Sequence, residues 1–373
     1  MDALMLPLNW QRVRLGDIGK PCMCKRVMKH QTTRYGEIPF YKIGTFGNTA
    51  DAFISKKLFL EYKTKYSFPK KGDILISASG TIGRAVIYDG KPAYFQDSNI
   101  VWIDNDETLV KNDFLFYAYS NIKWNTEHTT ILRLYNDNFK NTLIPLPPLN
   151  EQIAIANILS DVDHYLYSLD ALILKKESVK KALSFELLSQ RKRLKDFNQA
   201  WQSVRLGDIA NYLTSNLSAE QITQQGKIKV YDVNNFIGYT DTTFISDKPY
   251  ISIVKDGSVG RVRILPPKTN ILSTMGALIA NHRTTTEFLF YLLSNFDFKN
   301  FTSSSIIPHI YFKDYKEKTI FLPPLNEQSA IANILSALDN EIISLKNKKR
   351  QFENIKKALN HDLMSAKIRV LKK

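Results

Sequence analysis

The sequence contains few side chains whose types and spacing could carry catalysis. Glu61-Tyr62-Lys63 has the Glu-x-Lys form of some nucleases, but three-residue patterns are common and no Pro-Asp pair precedes this one. The six histidines do not have the spacing of metal ligands. Cys22 and Cys24 are too close for a stable disulfide and too few for a zinc site, so we interpret them as buried thiols. The sequence predicts neither a catalytic centre nor a metal site.

Patterns for cofactor binding are not found in the sequence either. No Gly-x-x-x-x-Gly-Lys-Ser/Thr phosphate loop occurs, so ATP binding by this chain is not expected. The two Pro-Pro-Leu segments do not form the Asn- or Asp-Pro-Pro-aromatic tetrapeptide of amino-methyltransferases. We therefore expect a chain that is not an enzyme and holds no cofactor itself.

The net charge favours a polyanionic partner. The 51 Lys and Arg residues exceed the 36 Asp and Glu residues and give a formal net charge of +15. Each basic side chain that meets a phosphate releases a condensed counterion, so a strongly basic protein is suited to nucleic acid. The sequence does not begin with a signal-peptide pattern, and no apolar run approaches the roughly 18 residues of a membrane span. We expect a cytoplasmic protein with no membrane contact.

Two glycine turns each end in an arginine that could contact nucleic acid. Gly80-Thr81-Ile82-Gly83-Arg84 is similar to Gly257-Ser258-Val259-Gly260-Arg261. Glycine lets the backbone approach a ligand closely, and arginine bonds phosphates or guanine edges. A plain hairpin turn with a surface arginine explains the pattern equally well. The predicted DNA contacts are Arg84 and Arg261.

Further basic and aromatic residues are candidate DNA contacts. In the first globular part a basic stretch alternates with aromatic residues, which we assign to the core, while its lysines are suited to phosphates. These lysines are Lys56, Lys57, Lys63, Lys70 and Lys71. Two other candidates precede the last strand of each globular part. They are Arg133 and Tyr135 in the first part, and His309 and Tyr311 in the second.

These features occur twice because the sequence contains an internal repeat. The segment from Trp10 to Ile18 returns from Trp201 to Ile209 with eight of nine positions identical. The segment from Pro147 to Ser160 returns from Pro323 to Ser336 with a single difference. The regions between these segments differ in sequence and length. Identical ends with different middles indicate two equivalent attachment points that carry different recognition surfaces.

The globular parts have the pattern of mixed α/β domains. Short β-branched runs flanked by glycine, such as 73–77 and 84–88, predict hairpin strands. The segments 114–121 and 288–295 predict short helices. The second copy lacks a segment matching 68–79, so its ligand-contacting surface is less completely defined by the sequence than that of the first copy.

A long helix is predicted after each Pro-Pro pair. Asn150 and Asn326 stand where an N-cap belongs, and Glu151 and Glu327 follow in the first turn. Apolar residues then step by threes and fours over about forty residues, which is typical of a heptad seam. Two such helices of about 60 Å could pair antiparallel and act as spacers. The alternative is that each amphipathic helix lies on its own domain.

With this layout the chain resembles the specificity subunit of type I restriction–modification systems along essentially its whole length. The most specific motifs are the doubled Leu-Pro-Pro-Leu-Asn-Glu-Gln, the doubled Trp-Gln-x-Val-Arg-Leu-Gly-Asp-Ile, and Gly-Thr-Ile-Gly-Arg in the first domain. The resemblance implies an α+β protein with an internal pseudo-two-fold repeat. Its two target-recognition domains, at 1–147 and 199–323, would be separated by two long antiparallel helices forming a coiled-coil pair, at 148–198 and 324–373.

The resemblance also implies function and partners. Each recognition domain would read one half of a split double-stranded DNA site, and the helices would set the gap between the halves. Each helical repeat would bind one methyltransferase subunit and, through it, restriction subunits. The residues expected to bind these partners are Asn150, Glu151, Gln152, Asn326, Glu327 and Gln328. S-adenosylmethionine, ATP and magnesium would belong to the partner subunits.

Two other interpretations remain open at this stage. The chain could be a coiled-coil scaffold that binds protein partners and touches DNA without sequence preference. It could also be a fragment of a DNA methyltransferase, in which case the isolated chain should bind a cofactor. Sequence preference of the assembled complex and cofactor binding by the isolated chain discriminate among the three.

Overall fold

The computed structural model describes residues 7–126, 132–303 and 307–370. The chain divides into two compact units by its internal contacts. Unit 1 comprises 1–169 and 348–373, and unit 2 comprises 170–347. The two long helices, α5 (Leu149–Leu188) and α8 (Leu325–Met364), therefore contribute one half to each unit.

Unit 1 is a mixed α/β unit, as its sequence pattern predicts. Its strands are β1 (Gln11–Arg14), β2 (Gly19–Met23), β3 (Ile38–Tyr41), β4 (Phe53–Ile54), β5 (Ile74–Ser77), β6 (Ala85–Ile87), β7 (Tyr94–Phe95), β8 (Ile100–Asn105) and β9 (Leu143–Leu146). Its short helices are α1 (Leu15–Ile18), α2 (Lys56–Lys65), α3 (Asn112–Tyr119) and α4 (Asn136–Asn141), with a 3-10 helix at Lys29–Gln31. The strands form sheets in the orders β1-β9, β2-β8-β5-β6 and β4-β3-β7.

Unit 2 repeats this arrangement. Its strands are β10 (Gln202–Arg205), β11 (Ala210–Thr214), β12 (Ile228–Tyr231), β13 (Phe236–Thr240), β14 (Tyr250–Val254), β15 (Val262–Leu265), β16 (Asn270–Ile271), β17 (Met275–Ala280) and β18 (Thr319–Leu322). Its short helices are α6 (Thr286–Ser294) and α7 (Phe312–Tyr315), with 3-10 helices at Leu206–Asp208, Ala219–Gln221 and Phe298–Phe301. The sheet orders β10-β18, β11-β17-β14-β15 and β13-β12-β16 match those of unit 1 strand for strand.

One inner strand of each four-stranded sheet, β5 or β14, is buried on both faces. Side chains alternate across a strand, so neighbouring residues of β5 enter different cores. Ile74 and Ile76 pack into one apolar cluster and Leu75 into another. In unit 2, Ile251 and Val254 of β14 are divided between two clusters in the same way. This double burial explains why both strands are nearly continuous apolar runs.

The structure corrects the expectation that unit 2 lacks a counterpart of 68–79. Strand β14 occupies the sheet position of β5, between β17 and β15. Its pairing is also equivalent, because the Val254 amide bonds the Arg261 carbonyl as the Ser77 amide bonds the Arg84 carbonyl. The segment without a counterpart is helix α2. The strand was missed in the sequence because its residues differ while its burial is conserved.

The helix starts are shifted from the prediction by two residues. Because α5 and α8 begin at Leu149 and Leu325, Asn150 and Asn326 lie inside the first turn and are not N-caps. The Asn150 side chain instead accepts a hydrogen bond from the Glu151 amide at 2.9 Å. The predicted short helices are confirmed at α3 and α6, each within two residues of the expected start.

The two long helices pack antiparallel within each unit. In unit 1 the rings of Tyr165 and Phe352 lie 4.6 Å apart, and Lys356 pairs with Asp163. In unit 2, Lys176 bonds Glu341 at 2.8 Å. The start of α5 also lies in the core of unit 1 and its end in the core of unit 2. The antiparallel pairing and the packing of each helix on a domain therefore coexist.

Candidate nucleic-acid interface

The glycine turn of unit 1 connects β5 to β6 and is held by Ser77. The Gly83 amide bonds the Ser77 carbonyl and the Arg84 amide bonds Ser77 Oγ, each at 2.9 Å. Gly83 has a φ of +83°, and a Cβ there would lie 2.0 Å from Trp124 Nε1. The turn thus requires glycine both for backbone conformation and for space. It leaves Arg84 exposed at the end of the sheet.

A segment distant in sequence packs beside this turn. The Leu134 amide bonds the Ala78 carbonyl at 2.9 Å, and Arg133 forms a β-bridge with Ser79. Leu134 is buried, whereas its neighbours Arg133 and Tyr135 are exposed. The structure therefore brings Arg84, Arg133 and Tyr135 to one end of the sheet. We call Gly80–Arg84 together with Arg133–Tyr135 the turn surface of unit 1.

Unit 2 builds the equivalent surface with similar backbone bonds. The Gly260 amide bonds the Val254 carbonyl, the Gly257 amide bonds the Pro308 carbonyl, and the Ile310 amide bonds the Lys255 carbonyl, each at 2.9 Å. These contacts place Gly257–Arg261 beside His309–Tyr311, which we call the turn surface of unit 2. Arg261 is exposed, and the Tyr311 side chain is 52% exposed.

The arginines of the two turns differ in what they bond. In unit 1, Arg84 Nη1 donates to the Phe46 carbonyl at 2.9 Å. In unit 2 the comparable loop carbonyl, that of Asn234, accepts instead from Arg263 Nη1 at 2.9 Å. Arg263 also lies over the Tyr231 ring at 5.1 Å. Arg261 itself has no side-chain hydrogen bond or ion pair within the described residues.

The residues beside the turns differ as well. Asp256 Oδ1 lies 2.6 Å from His309 Nδ1, and the His309 ring stacks on Tyr311 at a centroid distance of 6.4 Å. Lys313 Nζ lies 5.4 Å from the Tyr311 ring centroid. At the places that Asp256 and His309 occupy in unit 2, unit 1 has the β-bridged pair Ser79 and Arg133. The same backbone frame therefore carries different hydrogen-bonding groups.

The predicted lysine contacts do not join this surface. Lys70 and Lys71 precede β5, whereas Arg84 follows the turn at its other end. Lys70 bonds Asp104 at 3.0 Å, and this hydrogen bond raises the pKa of the lysine. Lys63 lies over the Phe68 ring, with its Nζ 5.3 Å from the centroid. These lysines are exposed and form a separate basic region.

The two remaining lysines of the basic stretch are also remote from the turn. Lys56 and Lys57 begin helix α2, and the Lys56 amide bonds the Glu37 side chain just before β3. The Phe46 carbonyl that holds Arg84 lies in the loop after β3. Lys56 and Lys57 are thus placed at the opposite end of that strand from Arg84.

The most strongly repeated residues of the sequence contact each other. In unit 1, Trp10 Nε1 donates to Glu151 at 3.0 Å, and Arg369 binds both carboxylate oxygens at 2.7 and 3.0 Å. In unit 2, Trp201 Nε1 donates to Glu327 at 2.9 Å, and Arg193 binds both oxygens. The Glu327 side chain is only 1% exposed. Each motif therefore fixes a long helix to the first strand of its own domain.

Gln152 and Gln328 are equally internal. Gln152 donates to the carbonyls of Leu109 and Pro147 and accepts from the Lys111 amide at 2.8 Å. Gln328 makes the matching bonds to Arg283, Pro323 and Thr285. The structure gives Glu151, Gln152, Glu327 and Gln328 an internal role, because side chains exposed by 2% or less present no surface to a partner subunit. Only Asn150 and Asn326 of the predicted partner-binding set are exposed.

Sequence reasoning missed a set of exposed apolar residues on the long helices. They share two properties: they lie outside the packed seam, and they occur at equivalent positions of the two repeats. In unit 1 they are Leu149, Tyr167 and Ile355, and in unit 2 they are Leu325, Ile343 and Val179. We call these residues the apolar triplets. Tyr167 is 77% exposed and Ile343 is 55% exposed. Comparing the two helices position by position could have revealed them.

The described residues give no sign of metal binding or membrane insertion. Among 7–126, 132–303 and 307–370, no cluster of three or more His, Cys, Asp and Glu residues is arranged to hold a metal ion. No helix within the same ranges is both long and apolar enough to cross a membrane.

Comparison with known proteins identifies several relatives. The family model "Type I restriction modification DNA specificity domain" matches residues 7–176 and 198–354. A protein of Haemophilus influenzae described as a type I restriction enzyme specificity subunit is 64% identical over 148 residues, which covers 39% of this chain and 38% of that protein. The type I restriction enzyme MjaVIII specificity subunit of Methanocaldococcus jannaschii is 25% identical and is matched over 99% of this chain and 95% of the relative.

Solved structures share the fold. The type I restriction–modification S subunit from M. genitalium superposes with a TM-score of 0.63 at 21% identity, covering 96% of this chain and 98% of that one. A chain from a structural study of type I complex assembly and conformational transition superposes with a TM-score of 0.58 at 16% identity. It covers the same shares of both chains.

Proposed function

This chain belongs to the type I restriction–modification DNA specificity family, and on that premise we propose that each of its two turn surfaces reads one half of a bipartite double-stranded DNA site. As a specificity subunit, the chain is not itself an enzyme. The observation that carries the proposal is the repeated turn surface, in which one backbone frame presents Arg84, Arg133 and Tyr135 in unit 1 and Arg261, His309 and Tyr311 in unit 2. Different side chains on one frame are suited to reading two different sequences.

The separate lysine region is suited to phosphates. These lysines are exposed and lie apart from the turn surface of unit 1; they are Lys56, Lys57, Lys63, Lys70 and Lys71. Phosphate contacts fix the register of a protein on DNA, while base contacts specify sequence. We therefore assign these lysines to contacts with the DNA phosphates around the first half-site. They should contribute little to sequence discrimination and more to the salt dependence of DNA binding.

We further propose that the long helices set the gap between the half-sites. Each helix has 40 residues, which corresponds to about 60 Å along its axis. A seven-residue insertion in both helices adds about 10 Å. At about 3.4 Å per base step, the preferred gap should then lengthen by about three base pairs. An unchanged gap in the methylated sites would reject the spacer role while leaving half-site reading intact.

The apolar triplets support a partner surface on each helical repeat. We propose that each triplet, together with Asn150 or Asn326, binds one methyltransferase subunit. Restriction subunits then join the complex through the methyltransferase subunits. The assembly is expected in the cytoplasm. S-adenosylmethionine, ATP and magnesium are then bound by those subunits. Tyr167→Asp or Ile343→Asp should each remove one methyltransferase subunit from the purified complex, measured by its mass in solution. Lys175→Asp, an exposed change on the same helix as Tyr167, is the control.

The experiment that tests half-site reading is sequencing of methylated DNA from cells that carry the chain with its partner subunits. Arg261→Ala should relax one half of the methylated motif, with a loss of about 1–3 kcal/mol at the affected base pair. Arg84→Ala should relax only the other half. If either substitution changes both halves, or neither substitution changes the motif, the proposal fails. A scaffold with non-specific DNA contacts would give no motif at all.

A further inference from the structure

The hydrogen bond between Asp256 and His309 fixes how the histidine can meet a ligand. An ionised carboxylate only accepts hydrogen bonds, so the proton must lie on His309 Nδ1, which is 2.6 Å from Asp256 Oδ1. In the neutral ring the other nitrogen, Nε2, is then an acceptor. The contact therefore selects one tautomer and leaves an acceptor nitrogen without a partner within the described residues.

The position of the ring is fixed from several sides. The His309 amide bonds Ser303 Oγ at 3.1 Å, and the next residue, Ile310, is tied to the Lys255 carbonyl. The ring lies at 22° to the Tyr311 ring, and the His309 side chain is 33% exposed. A partly exposed ring with a fixed tautomer and orientation can discriminate between hydrogen-bonding groups on a ligand.

Unit 1 has the opposite hydrogen-bonding polarity at the equivalent place. Arg133 occupies the position of His309, and a guanidinium group can only donate. Ser79 occupies the position of Asp256, and its hydroxyl is directed to Asn99 at 2.7 Å. Arg133 is exposed and has no side-chain hydrogen bond or ion pair within the described residues. Unit 1 therefore presents donors where unit 2 presents an acceptor.

We propose that His309 reads a base with an exocyclic amino group, adenine or cytosine, in the half-site of unit 2, and that Asp256 is its positioning residue. In the major groove only the N6 of adenine and the N4 of cytosine donate hydrogen bonds, while guanine N7 and O6 and thymine O4 accept. This inference rests on the proposed half-site reading and adds the chemical class of the base.

The test uses the chain assembled with its partner subunits and a panel of duplexes that vary one base pair at a time in the half-site of unit 2. Binding is measured at pH 8. We expect His309→Ala to reduce the preference for an amino-bearing base at one position by about tenfold. The other half-site should keep its preference. Asp256→Ala should relax the same position, whereas a merely structural role would lower thermal stability without changing base preference.

Exchange of the pair gives a sharper result. The double variant Asp256→Ser with His309→Arg copies unit 1, and it should convert the preference at that position to guanine, because arginine donates to guanine O6 and N7. His309→Arg alone should not do so, since Asp256 would capture the guanidinium. If His309→Ala leaves every base preference unchanged while Arg261→Ala still relaxes the motif, the inference is wrong and half-site reading stands. A wild-type preference for guanine at that position would also overturn it.

Discussion

Unit 1 and unit 2 make the same contacts at the start of each long helix and different contacts at their turn surfaces. Trp10, Glu151 and Arg369 in one unit correspond to Trp201, Glu327 and Arg193 in the other, with nearly equal distances. At the turns, Ser79 and Arg133 are replaced by Asp256 and His309. The scaffold glutamates are buried, as is Ser79, whereas Arg133, Asp256 and His309 are exposed or half-buried. Buried geometry tolerates few substitutions, whereas exposed positions can change with the target.

The half-buried arginine comes from the equivalent position of each repeat. Arg193 follows the end of α5, and Arg369 follows the end of α8 by the same number of residues. Both bind a glutamate through two hydrogen bonds. The same contact is therefore built in both units by the segment that follows a long helix.

The largest effect should follow loss of the buried glutamate in either unit. Glu151→Ala and Glu327→Ala each remove the carboxylate from a half-buried arginine and leave an indole NH without a partner, and each should lower the free energy of unfolding by about 3 kcal/mol. Denaturant unfolding measures this, with the exposed changes Asn150→Ala and Asn326→Ala as controls. A much smaller loss for Glu151 than for Glu327 would show that the Arg369 contact of unit 1 is weaker than the Arg193 contact of unit 2.

The second-largest loss of stability should come from glycines that have the same backbone conformation but different surroundings. Gly257 and Gly260 both have a φ of +79°, yet a Cβ on Gly257 meets nothing within 4 Å, while one on Gly260 lies 2.7 Å from Phe298. Gly257→Ala should cost only the backbone strain, about 1 kcal/mol, and Gly260→Ala about 2 kcal/mol or more. Thermal unfolding of both variants decides the order.

The same pair exists in unit 1 and sharpens this prediction. A Cβ on Gly80 has its nearest neighbour at 3.9 Å, whereas one on Gly83 lies 2.0 Å from Trp124. Gly83→Ala should therefore destabilise more than Gly80→Ala. Equal losses for the two glycines in both units would contradict the assignment of Trp124 and Phe298 as the groups that require glycine.

The smallest effect concerns two tyrosines that bond the long helices. Tyr117 donates to Asp163 and Tyr291 to Asp339, each at 2.8 Å. Burial and then the bond to the carboxylate raise the pKa of both phenols above the ordinary value near 10. The folded state therefore favours the neutral phenol, so this stabilisation is complete below pH 10 and is lost as the pH rises further.

Replacement of these tyrosines tests that pH dependence. Tyr117→Phe and Tyr291→Phe should each cost about 1 kcal/mol at neutral pH. Both should also flatten the decline in stability above pH 10. This decline is measured by unfolding each variant at a series of pH values. Tyr167→Phe, at an exposed tyrosine, serves as the control. A decline identical to that of the wild type would show that other groups cause the alkaline loss.

Much of this organisation could be predicted from residues alone. The near-identical segments at 10–18 and 201–209 predicted two equivalent domains, and the apolar steps after each Pro-Pro pair predicted the two long helices, all of which the structure confirms. Strand β14 could not be predicted as the counterpart of β5, because burial on both faces constrains apolarity and not identity. The internal role of Glu151 was also missed, since its partners Trp10 and Arg369 are far away in sequence.

The sequence by itself determined the repeat, the α+β class and the length of the helices, because these depend on periodicity and on local backbone preferences. Tertiary structure alone decided which predicted contacts share a surface. It placed Arg84 beside Arg133 and separated both from the lysine stretch, because strand pairing brings distant segments together and sends neighbouring ones to opposite ends of a strand. It also set the Asp256–His309 bond, whose partners become neighbours only when Ile310 pairs with Lys255.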